Sequence, residues 1–154
     1  MSRIKTAVAL VGVFLLAWAA QPLVAADRAD VKKLMGDNFQ LMQDILEGLL
    51  TAHYDNLPGD VAVIRDHASA LSSNVPQSVP QESRRTFVTY AYTLEQKSEN
   101  LITVLAELIK HEKQRTDPAA LNIDYLRAVA ASEFGEVVTT CVLCHNQFRR
   151  RTVP

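Results

Sequence analysis

The chain has 154 residues, 48 % of them hydrophobic, with 16 Lys and Arg against 17 Asp and Glu for a formal charge of −1. That length suits one domain able to bury a single core. The near-neutral balance argues against nucleic acid as a partner, and there is no internal repeat or low-complexity tract.

The first element in chain order reads as an export signal. Arg3 and Lys5 form a short basic region, and Thr6 to Ala20 is almost unbroken apolar sequence. Gln21-Pro22 breaks that run, and Val24-Ala25-Ala26 supplies small residues ahead of Asp27. A leader over residues 1–26 is expected, leaving a domain of residues 27–154. The apolar run is shorter than the roughly 20 residues a spanning helix needs, which speaks against an uncleaved anchor, and no membrane attachment is expected after cleavage. Loss of Arg3 and Lys5 takes the formal charge from −1 to −3 and also removes Trp18.

Proline and glycine divide the remainder into four helical segments. In the first, Val31, Met35, Asn38, Met42, Ile45 and Leu49 recur at steps of four and three. The second is expected to start near Asp60 as N-cap and repeats Val61, Ile64, Ala68 and Leu71. Asn74 to Ser83, with two prolines and no periodicity, is the longest connection. The third segment carries Phe87, Ala91, Leu94, Ser98, Leu101, Leu105 and Leu108. The fourth follows Asp117-Pro118, a cap residue and a first-turn proline, with the stripe Ala130, Phe134, Val137, Cys141, Cys144 and Phe148. No stretch alternates with period two. Four amphipathic helices with such seams predict an all-α, antiparallel four-helix bundle.

The last helix also carries the chemistry. Cys141-Val142-Leu143-Cys144-His145 holds the only two cysteines of the chain. C-x-x-C-H is the attachment sequence for a c-type haem: two thiols add across porphyrin vinyl groups and the adjoining imidazole takes one axial position on the iron. Helical spacing explains the pattern, because residues three and four apart share a face. Zinc normally takes four Cys or His ligands, and three stand together here. A redox dithiol would want a βαβ context, and a plain disulfide gives no reason for His145. With both cysteines on the seam, one covalent haem c is expected inside the bundle.

A helical bundle ending in this motif resembles the cytochrome c-prime (class II cytochrome c) family over the length that follows the leader. The run Cys141 to Arg149 looks like the family's C-x-x-C-H-x-x-F/Y-R ending, and Lys33 to Met42 (KLMGDNFQLM) looks like the first helix of its low-spin members. The resemblance implies attachment outside the cytoplasm, hence a periplasmic location. It further implies His145 as proximal iron ligand and Met35 as distal ligand. Met/His ligation raises reduction potential, and an electron carrier serving redox partner proteins is the leading expectation, without enzymatic turnover. The alternative it leaves open is a five-coordinate cytochrome that binds nitric oxide or carbon monoxide. Family members often dimerise through their first two helices, so a homodimer is among the implied states.

Residues around the haem follow by the same likeness. Arg28 matches an arginine placed near the haem propionates, while on its own it reads as a solvated first-turn residue; Arg149 matches one beside the proximal histidine, where a cation tunes the imidazole. Asn38, polar within an apolar stripe, would hydrogen-bond near a propionate, on the distal side or to a neighbouring helix backbone. Met42 is a weaker candidate ligand, and Lys32 reads as a solvated charge. His53, His67 and His111 have no partner at metal-ligand spacing and read as surface or satisfied histidines. Ser83, Glu82 and Asp66 form no nucleophile–base set. Gly36 and Gly135 are the positions where close approach of haem or a helix is expected.

Overall fold

The computed structural model describes residues 28–114 and 123–149, with residues 28–30 and 149 described through their backbone. The expected leader and the Asp117-Pro118 helix start lie outside the described residues. Four long helices follow one another: α1 (Arg28–Thr51), α2 (Leu57–Ser73), α3 (Arg84–Lys113) and α4 (Ile123–Arg149), with a single 3-10 turn at Gln81–Ser83 leading into α3. No strand occurs among the described residues, and none of their helices is long and apolar enough to cross a membrane.

Cross-helix pairs give the directions. Asn38 meets His67 and Gly48 lies against Leu57, so α1 and α2 run antiparallel. Arg65 bonds Glu99 between α2 and α3. Glu112, Lys97 and Phe87 of α3 meet Arg127, Glu136 and Phe148 of α4 in descending order. The bundle is therefore up-down-up-down. Helix α3 packs broadly on α2 and α4, α1 leans chiefly on α2, and the α1–α4 edge is the loosest of the four.

The seams predicted from periodicity are the buried faces. In α2, Val61, Ile64, Ala68 and Leu71 are buried together with Leu57. In α3 the buried set is the seven-residue stripe from Phe87 to Leu108. Ala130, Phe134 and Val137 of α4 are buried, and Cys141 is packed half-buried against them. This is the three- and four-residue stepping that puts one face of a 3.6-residue helix into a core.

Two local expectations need correction. Helix α2 starts at Leu57 rather than at Asp60, with Asn56 before it and Pro58 in its first turn. Pro58 supplies a helical φ and lacks an N–H that would be unsatisfied there anyway, so the helix can begin one turn earlier. In the connection 74–83, Pro76, Val79 and Ser83 are buried, and Val79 joins the smaller core cluster. No neighbouring helix closes on Gly36 or Gly135, since a Cβ at either would meet no protein atom within 4 Å. Gly48 has that role instead: a Cβ there would come 2.5 Å from Leu57 Cδ2 and 2.9 Å from the His53 carbonyl oxygen. His53 N–H donates to the Gly48 carbonyl at 2.9 Å and Ala52 takes a left-handed φ of 58°, which turns the chain tightly into α2.

Candidate haem-binding cavity

The loose α1–α4 edge opens into a cavity of about 280 Å³. This lies at the lower edge of the range of about 300–1,000 Å³ typical of sites for small molecules and cofactors. Every helix contributes to its wall: Met35 and Met42 from α1, Leu71 from α2, Phe87 and Leu94 from α3, and the motif from α4. The lining is overwhelmingly apolar, and at one end Phe148 packs edge-on to Phe87 with ring centroids 5.4 Å apart.

Cys141, Cys144 and His145 all line this one cavity. Both cysteines are half-buried free thiols, with Cys141 against the larger core cluster and Cys144 against the smaller. Burial pushes the Cys141 thiol up to about 11, and burial together with the neighbouring Cys141 does the same for Cys144. The thiols are accordingly neutral at physiological pH and compatible with an apolar wall. His145 sits at the exposed rim of the same wall. One helix face therefore presents two sulfurs and an imidazole to a single space, as spacings of three and four residues require.

Across the cavity, α1 presents Met35 and Met42, both half-buried, with Asn38 between them. Asn38 is 3 % exposed. Its Oδ1 accepts from His67 Nδ1 on α2 at 2.6 Å, so its partner is a side chain rather than a helix backbone, and His67 is a satisfied histidine. The backbone of Arg28 lies at the start of α1 and that of Arg149 at the end of α4. Because those helices run antiparallel, both positions fall at the cavity end of the bundle, and their side chains lie outside the described structure.

Several wall residues were not singled out by sequence reasoning. Leu71, Phe87, Ala91 and Leu94 were legible as core seam, but nothing in a seam tells a residue that fills a core from one that borders a void. Phe39, 61 % exposed, lies off the predicted stripe yet forms part of the mouth. The His67–Asn38 bond joins residues 29 apart and left no sequence signal.

The fit to a haem can be judged on these observations. The walls are apolar, and both attachment sulfurs and the imidazole border the same cavity. Among the described residues no three His, Cys, Asp or Glu side chains converge as a metal-holding group. No family model, curated protein or solved structure matches this chain.

Proposed function

We propose that the protein is an exported, periplasmic c-type cytochrome that carries electrons through one haem c bound in the α1–α4 cavity. Cys141 and Cys144 supply the thioether links, His145 the proximal iron ligand and Met35 the distal one. The observation that carries this reading is the convergence of both thiols and the His145 ring on a single apolar cavity whose opposite wall bears Met35. When bound, haem iron supplies a one-electron couple between its ferrous and ferric states.

The chain's own residues do the remainder. The α4 face fixes the group at two points, so its orientation is set by a packed helix rather than by a loop. The apolar wall excludes water and lowers the local dielectric, which tunes reduction potential. Met35 and His145 stand on helices held by the common core, and this keeps rearrangement small when the charge of the iron changes. The open mouth beside Phe39 and Val142 leaves an edge for redox partner proteins.

Optical spectra of protein produced with a haem-attachment system test this. Low-spin ferric and ferrous spectra are expected, and Met35→Ala should turn them high-spin and open the iron to carbon monoxide. High-spin spectra in the unaltered protein would remove Met35 as ligand and favour a gas-binding cytochrome. Spectra without thioether haem would end both readings.

A further inference from the structure

The polar groups on the cavity wall are not equivalent. The Thr140 hydroxyl turns back to the Glu136 carbonyl at 2.8 Å, and His145 belongs to the attachment motif. Asn38 differs from both: it is nearly fully buried, it lines the cavity, and its amide is held from behind. A carboxamide oxygen can only accept, so the 2.6 Å contact requires the proton on His67 Nδ1. A doubly protonated ring donates from Nδ1 as well, and the contact survives either state. With Oδ1 taken by His67, the amide end left for the cavity is Nδ2, a donor.

The geometry points to Asn38 as a positioning residue of the cavity, donating an N–H to the lone-pair atom that stands on the α1 side, with His67 as the lock that keeps the donor end forward. The inference rests on the haem-binding reading above for the identity of that atom. In the resting protein it is the Met35 sulfur, one turn away on the same face, a weak acceptor that a buried N–H can hold in place. Where Met35 is removed, it is the outer atom of a small ligand such as carbon monoxide. His67 is not itself a wall residue, so its part is to choose which end of the amide faces inward. An amide free to rotate would present its oxygen half the time, opposing the lone pairs of such an atom.

The test uses haem-loaded Met35→Ala protein as parent, with carbon monoxide as probe and the C–O stretching frequency of the ferrous adduct as readout. The parent should show one narrow band. Adding Asn38→Leu should move the band to higher frequency and weaken carbon monoxide binding by up to about tenfold, the value of one hydrogen bond. Adding His67→Ala instead should split the band, and His67→Gln, whose amide N–H can still donate to Oδ1, should restore a single one. An unchanged band in either Asn38→Leu or His67→Ala overturns the proposal. The apoprotein tests the lock without haem: the Asn38 side-chain N–H pair should give one sharp set of NMR signals that His67→Ala broadens or doubles, and signals unaltered by His67→Ala overturn it. A parent that takes up no haem marks the failure of the haem reading, and the apoprotein result then stands separately.

Discussion

At the end of the bundle formed by the C-terminus of α1 and the N-terminus of α2, Ile45, Val61, Ile64, Leu101, Leu105 and Leu108 all have 0 % exposure. At the opposite end, Leu71, Val79, Phe87 and Ala91 keep between 5 and 8 % and form a separate cluster. The same four helices run through both ends with the same seam spacing, yet one end packs a closed apolar core and the other borders an apolar cavity. The difference lies in what α1 and α4 bring to the shared seam. Near the closed end α1 contributes Ile45, and Gly48 lets it press against α2. Near the cavity α1 contributes thioethers and an amide, and α4 contributes two thiols in place of branched aliphatics. Closing that end with small or flexible side chains would cost packing. On the proposed haem-binding reading, this cavity is where a cofactor would complete the core.

The largest test of that contrast is truncation at each end. Leu101→Ala should destabilise the apoprotein by about 2–5 kcal/mol, as a new cavity in a closed core does. Leu71→Ala, which only enlarges an existing void, should fall at or below the bottom of that range. Urea denaturation of the two apoprotein variants decides it, and equal losses would erase the distinction between the ends.

Gly48→Ala comes next. A better helix former would ordinarily gain up to about 1 kcal/mol, but the added methyl meets the His53 carbonyl and Leu57 at under 3 Å. A net loss of about 1–3 kcal/mol is expected from this overpacking. Gly36→Ala, in open space on the same helix, should instead gain about 0.5–1 kcal/mol. Opposite signs in paired thermal melts would sharpen the picture of where α1 is held closely.

The cavity thiols give a pH signature. Each is raised from an ordinary value near 9 to about 11 by burial. An acid whose pKa is higher in the folded state contributes stability that is complete below the unfolded value and lost as pH rises through the folded one. The apoprotein should therefore lose stability between about pH 9 and 11 more steeply than a Cys141→Ser, Cys144→Ser double variant. Denaturation curves across that window, compared as a difference so that lysines and tyrosines cancel, would show parallel lines if the thiols were not buried. A similarly small effect is expected at Ser98, which is fully buried in the α3 seam with its hydroxyl unpartnered. Ser98→Ala should raise stability by about 1 kcal/mol, seen as a higher denaturation midpoint.

Periodicity made the helices and nearly all their buried faces readable, because each seam from Val61 to Val137 follows the 3.6-residue repeat that burial itself imposes. The motif was readable for a similar reason: its spacing is local, and a helix turns three- and four-residue spacing directly into a shared face. What stayed hidden depends on tertiary distance. Periodicity at Leu71 or Phe87 cannot say whether the facing position is filled. The Asn38–His67 bond depends on the register between α1 and α2, which the tight turn at Gly48 and Ala52 sets. The start of α2 was misplaced because Asp60 is a good cap by composition, whereas Asn56 and Pro58 had already begun the helix.

The central claim, that the cavity is completed by a covalently held haem, is tested most directly by intact mass. Protein produced with a haem-attachment system should, after denaturation, weigh as the chain plus one haem, and a variant with Cys141→Ser and Cys144→Ser should weigh as the chain alone. An unaltered protein that denatures to the bare chain mass would contradict the account.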